Sequence, residues 1–251
     1  MADNILEAEG LTKHFSGFAA VSNVSLSLRR GSIHALIGPN GAGKTTCFNL
    51  LTKFLEPSAG TIRLNGNDIT TLKPDAVARL GMVRSFQISA VFLNLTVLEN
   101  VRLAVQRRRG SSYDFWRHKA VLRGLDARAL ELIDSVGLSE VAESRASELP
   151  YGRKRALELA TTLALDPEVM LLDEPTAGMG HEDVGRVTRL IREVAQGRTV
   201  LMVEHNLGVV ADLCDEITVL SRGEVLAQGD YATVSKDARV IAAYIGGGGH
   251  A

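Results

Sequence analysis

Cysteine, tryptophan and net charge are scarce in this sequence, and each scarcity removes a class of protein. The two cysteines, Cys47 and Cys214, stand inside apolar segments with no second pair at ligand spacing. A disulfide framework and a zinc site are therefore excluded, and both residues are expected to be buried free thiols. A formal net charge of -1 leaves no basic footprint for a phosphate backbone, which argues against a nucleic-acid partner. No apolar run approaches the roughly 20 residues that a spanning helix needs, and the start MADNILEAEG lacks the basic and apolar regions of a signal peptide. A cytosolic chain is expected. Internal repeats are missing as well, and the only biased stretch is the terminal GGGGHA, whose composition predicts flexibility. What is present, 251 residues of which 45% are hydrophobic, suits one domain with room for a subdomain.

Glycine and proline punctuate the chain into short β-like runs alternating with helical ones, the order of an α/β fold with a largely parallel sheet. Val24, Leu26 and Leu28 alternate as in a half-buried strand, and Ile33 to Ile37 form a continuous apolar run of the buried kind. After Thr96 the texture changes. Thr96-Val97-Leu98-Glu99 matches a capping box, apolar residues follow at helical spacing to Val105, and the helix ends in Arg107-Arg108-Arg109-Gly110. A second helical run from Asp126 to Val136 stops at Gly137, so residues 88–150 are expected to be an all-helical insert between core segments 1–87 and 151–251. Strand and helix then alternate again through "VMLLDE", "HEDVGRVTRLIREVAQG", "TVLMVEH", "LGVVADLCD" and "EITVLSRGEVLAQG", with a last helix ending near Ile245.

Chemistry enters at "GPNGAGKTT". Gly38, Gly43, Lys44 and Thr45 satisfy the phosphate-loop pattern G-x-x-x-x-G-K-[ST]; Pro39, Asn40, Gly41 and Ala42 fill the free positions and Thr46 follows. The motif stands between a strand and a helix, where backbone N–H groups can curl around phosphate oxygens at a helix N-terminus. Lys44 is placed to reach the β/γ-phosphates and Thr45 to ligate magnesium. "VMLLDEP" supplies the complement: a buried strand ending at Asp173, suited to the magnesium shell, with Glu174 next to it as the carboxylate that polarises an attacking water. ATP and magnesium are the expected cofactors. Taken alone, "LLDE" also fits a core strand with an acidic end.

With these motifs the chain resembles ATP-binding cassette (ABC) ATPases over nearly its full length. The resemblance implies a P-loop NTPase (RecA-like) core with an N-terminal antiparallel β subdomain and an inserted helical subdomain. It also implies roles for three residues that no spacing reveals. Gln87 in "VRSFQ" matches the Q-loop glutamine at magnesium or the attacking water, His205 the switch histidine at the γ-phosphate, and Phe15 the aromatic that stacks on adenine. "LPYGRK" occupies the position of the LSGGQ signature, with Pro150, Tyr151, Gly152 and Arg153 as the residues offered in trans to a second cassette's nucleotide. Pro150 has neither the serine hydroxyl nor an N–H, a loss of about 1.5–3 kcal/mol or roughly 10- to 100-fold in ATP-driven closure. A homodimer would carry this lesion twice, so a heterodimer with a second ATPase subunit is favoured. "TAGMGH", after the Walker B strand, lacks the aspartate often found there.

"LLTKFLEPSAGTIRLNG", "LTVLENV", "LLDEPTAGM", "VEHNLGVV" and "AAYIG" narrow the resemblance to LivG-type subunits of importers for branched-chain amino acids and related hydrophobic solutes. That group implies two transmembrane permease subunits, a periplasmic binding protein and a place on the inner face of the cytoplasmic membrane. A homodimeric lipopolysaccharide-export ATPase and a nucleotide-binding regulatory subunit are the alternatives. The arginines 107–109 suit either the carbonyl end of a helix dipole or a permease contact, and Trp116 with Phe115 either a packed corner or an anchor.

Overall fold

Alternating and continuous burial sort the strands into two sheets in a computed structural model that describes residues 3–85, 91–108 and 119–246. The first is antiparallel and contains β1 (Asn4–Phe15), β2 (Phe18–Arg29), β4 (Ala59–Leu64) and β5 (Asn67–Asp68) in the order β2-β1-β4-β5. Along β2, Val24, Leu26 and Leu28 point inward and their neighbours outward, as period-2 patterning requires. β1 and β2 meet in a two-residue turn, Ser16 and Gly17, both at positive φ, so that Phe15 pairs with Phe18 at the hairpin tip.

The second sheet holds β3 (Ile33–Ile37), β6 (Met82–Ser85), β7 (Val169–Asp173), β8 (Thr199–Val203), β9 (Glu216–Ser221) and β10 (Glu224–Gly229), in the order β10-β9-β3-β8-β7-β6. β9, β3, β8 and β7 run parallel and β10 is antiparallel to β9. β3 and β8 are buried at every position, as expected of parallel strands covered on both faces. Helix α1 (Lys44–Leu51) sends Cys47, Phe48, Leu50 and Leu51 into a single apolar core shared with both sheets.

By packing, the chain forms two units. The first runs to Met82 and takes in Glu168–Pro175 and the chain from Ala195 on; the second is Val83–Pro167 with Thr176–Val194. In the second, α3 (Val97–Arg108) packs on α4 (Lys119–Ser135), both touch α5 (Tyr151–Leu163), and α5 touches α6 (His181–Val194). α2 (Pro74–Arg79), α7 (Leu207–Leu213), α8 (Tyr231–Val234) and α9 (Ala238–Gly246) belong to the first unit. The capping box forms as patterned: Thr96 N–H donates to Glu99 Oε2 at 2.8 Å and Glu99 N–H to Thr96 Oγ1 at 3.1 Å. Asn100, buried beside it, donates through Nδ2 to the Phe92 and Thr96 carbonyls, stapling the approach to α3. Helix α4 begins before the expected Asp126 and stops at Ser135, with Gly137 at φ 69° behind it. Both thiols are free. Cys47 is fully enclosed, whereas Cys214, expected buried, is half-buried with its Sγ 3.6 Å from Met202 Sδ; burial pushes both thiols up to about 12.

Candidate functional site

β3 ends at Ile37 and α1 begins at Lys44, so the six residues between them span a strand-to-helix turn. Gly43 closes it at φ 96°, where a side chain is strained; a Cβ there would stand 2.6 Å from the Ala20 carbonyl oxygen and 3.3 Å from Gly223 Cα. β2 and the β9–β10 turn thus press directly on the loop, and Gly223 N–H donates to the Ala42 carbonyl at 3.0 Å. No side chain caps α1, which leaves its first N–H groups to an anion. Gly38 is buried, Pro39 half-buried, Asn40 and Gly41 exposed; Thr45 is exposed and Thr46 half-buried. Lys44 Nζ donates to the carbonyls of Gly38 at 2.7 Å and Pro39 at 3.0 Å. Desolvation lowers its pKa, and the carboxylate of Glu174 opposes that shift, which brings Lys44 and Glu174 into one electrostatic neighbourhood.

Two strands over in the sheet, β7 delivers Asp173 as its last, half-buried residue, paired with Val203 of β8. Glu174 follows at φ 46°, in the left-handed region that a residue with a Cβ occupies only at a cost of about 1–3 kcal/mol. Its N–H donates to the Val203 carbonyl at 2.9 Å, so the sheet ladder itself holds the strained conformation. β8 ends beside it, and His205 Nδ1 lies 3.9 Å from Glu174 Oε1, with both side chains reaching solvent. Phosphate loop, paired carboxylates and histidine therefore converge at the C-terminal ends of β3, β7 and β8, the edge where open α/β sheets bind ligands.

Phe15 stands at the hairpin tip, 42% exposed, with Lys13 Nζ 5.5 Å from its ring centre, so it is available for stacking rather than committed to the core. Gln87, Phe115, Arg109 and Trp116 lie outside the described residues. In the helical unit, Pro150 is the N-cap of α5 at ψ 158° and makes no side-chain capping bond; Tyr151 is exposed, Gly152 buried and Arg153 half-buried.

Two features escaped the sequence reading. Glu204 is wholly buried, and its Oε2 accepts from the N–H groups of His205 at 2.8 Å and Asn206 at 3.0 Å; Asn206 in turn caps α7 through Gly208 and Val209. The turn that carries His205 is thus fixed from inside. An acid two residues before the Asn206 N-cap was the available signal. On α9, the Tyr244 hydroxyl is buried close to the Gly38 backbone without a well-formed hydrogen bond among the described residues, and burial raises its pKa.

The donor set near the loop consists of hard oxygens, Thr45 and Asp173. Among the described residues no three His, Cys, Asp or Glu side chains cluster as a metal cage. The oxygens of Thr45 and Asp173 are of the type magnesium takes, which uses one or two protein oxygens and completes its shell with phosphates and water. No helix of the described residues is long and apolar enough to cross a membrane.

Residues 21–177 match the family described as ABC transporter, and residues 224–250 that described as branched-chain amino acid ATP-binding cassette transporter. The chain is 39% identical to the high-affinity branched-chain amino acid transport ATP-binding protein LivG of Salmonella typhimurium over 98% of this chain and 99% of the relative. It is 36% identical to the corresponding protein BraF of Pseudomonas aeruginosa over the same shares. Among solved structures, the ADP conformation of MJ1267, an ATP-binding cassette of an ABC transporter, superposes with a TM-score of 0.85 at 28% identity, covering 97% of this chain and 99% of that one.

Proposed function

Because this chain belongs to the ABC transporter family and is an ATPase of its branched-chain amino acid group, we propose that it energises an importer of branched-chain amino acids or related hydrophobic solutes. In this reading it works beneath two permease subunits at the inner face of the cytoplasmic membrane, paired with a second ATPase subunit and supplied by a periplasmic binding protein. The observation that carries the reading is Glu174, held in a strained backbone conformation directly after Asp173 with His205 beside it. A site that only bound nucleotide would not need the strained acid.

The loop N–H groups from Gly41 to Thr46 and the start of α1 take the phosphates, and Lys44 exchanges a loop carbonyl for a phosphate oxygen. Thr45 and Asp173 would hold magnesium, which would supply charge neutralisation at the phosphates. Glu174 accepts a hydrogen bond from the attacking water and polarises it; His205 contacts the γ-phosphate, Phe15 stacks on adenine, and the resemblance gives Gln87 a role at magnesium or the attacking water. Glu204 keeps His205 in place. Pro150, Tyr151, Gly152 and Arg153 are offered to the partner cassette's nucleotide.

In the assembled complex, Glu174→Gln is expected to keep nucleotide binding while turnover falls about 100-fold or more. Lys44→Ala is expected to weaken nucleotide binding about 10- to 100-fold. Turnover untouched by either substitution would remove the reading.

A further inference from the structure

α5 starts with a tyrosine where the family's signature has a glycine, and that exposed side chain is anchored through its hydroxyl. Tyr151 Oη donates to the carbonyl of Ala177 at 2.9 Å, in the loop between β7 and α6. Behind the phenol lies an ion pair: Arg155 Nη1 donates to Glu158 Oε2 at 2.7 Å, and the two side chains are 8% and 4% exposed. The same guanidinium reaches the phenol oxygen through Nη2 at 3.4 Å and lies 5.7 Å from the ring centre. A cation donating to the phenol oxygen makes its O–H a better donor, so the neutral bond to Ala177 is strengthened cooperatively. The neighbouring residues fit this contact. Gly178 turns at φ 74°, with the phenol within 3.7 Å of where its Cβ would be, and a Cβ on Gly152 would stand 3.0 Å from Asp183 Oδ1 in the first turn of α6.

We propose that Tyr151 is a positioning residue that locks the start of α5, the surface this chain offers a partner cassette, to the loop after Asp173 and Glu174, so that the two move as one. The functional half of this proposal rests on the two-cassette reading above; the lock itself does not. It also gives the altered signature a compensation: Pro150 contributes neither hydroxyl nor N–H, and a helix end held rigid loses less on closing than a loose one.

Tyr151→Phe tests the lock because it keeps the ring over Arg155 and removes only the donor. In the complete complex, kcat for ATP is expected to fall about 2- to 10-fold, the range of one neutral hydrogen bond, with KM changed less than about twofold. Amide exchange is expected to speed up together in residues 177–180 and 151–154, while a fluorescent ATP analogue binds this chain's own phosphate loop with wild-type affinity. Unchanged exchange at 177–180 in Tyr151→Phe overturns the lock, and faster exchange with unchanged kcat overturns its role in turnover. If wild-type subunits show no ATP-driven association, the two-cassette reading falls and the exchange measurement alone decides the lock.

Discussion

His34 is the side chain whose surroundings make the clearest statement about pH. It sits at 1% exposure in the middle of β3, its Nε2 2.8 Å from Thr218 Oγ1, which also accepts from Gln228 Nε2 at 3.0 Å. His34 Nε2 and the Thr218 hydroxyl thus share one hydrogen bond, and Nδ1 stands 3.9 Å from Glu216 Oε2. Burial lowers the His34 pKa from 6.5 to about 4. The folded chain therefore stays neutral here while the unfolded chain takes a proton as pH falls below 6.5. The stability this residue confers is complete above that value, and about 3 kcal/mol of it is lost by pH 4. Urea unfolding between pH 7.5 and 4.5 should show a steeper loss for the wild type than for His34→Gln, which does not titrate in this range. Parallel curves would mean that His34 takes up its proton equally in the folded and the unfolded chain, so that burial does not lower its pKa.

The phosphate loop shows how much an element's sequence can say and where it stops. Its position between strand and helix, the capping box of α3 and the buried runs of β3 and β7 were all legible, because glycine spacing, period and burial are local properties. Not legible were the partners that reach the loop from elsewhere: the Ala20 carbonyl, Gly223 and the Tyr244 phenol come from three separate elements. Glu204 was missed for the same reason, since an acid at a strand end looks solvated until the fold buries it. The roles of Phe15, Gln87 and His205 came from resemblance alone. These long-range neighbours predict unequal tolerance within one motif. Gly41 turns at φ 76° with nothing within 4 Å of a Cβ, whereas Gly43 meets backbone at 2.6 Å. Gly41→Ala should cost about 1–2 kcal/mol of backbone strain and retain nucleotide binding. Gly43→Ala must push apart β2 and the β9–β10 turn, so isothermal titration should find nucleotide affinity lost in that variant. Equal affinities in the two would show that the loop does not need those contacts.

For the whole molecule, the proposed two-cassette reading turns on an asymmetry between what the chain would keep for its own nucleotide and what it would offer to another. Lys44, Asp173, Glu174 and His205 are assembled within one unit, while the start of α5 presents a proline, which supplies no hydrogen-bond donor to a phosphate. A second cassette with a regular signature would complete the site on Lys44, and two copies of this chain would leave both sites short of the same donor. Purified alone, the chain is expected to show weak ATP-dependent association and turnover, both rising about tenfold or more when a regular partner cassette is added. Pro150→Ser should then raise homodimer turnover about 10-fold, since it restores a hydroxyl and an N–H at the N-cap, where serine is favoured. The substitution tests cause rather than correlation. If Pro150→Ser leaves the isolated chain as weak as before while a partner still activates it, the need for a partner lies somewhere other than the signature, and the loop following Glu174, which lacks the usual aspartate, becomes the next segment to exchange.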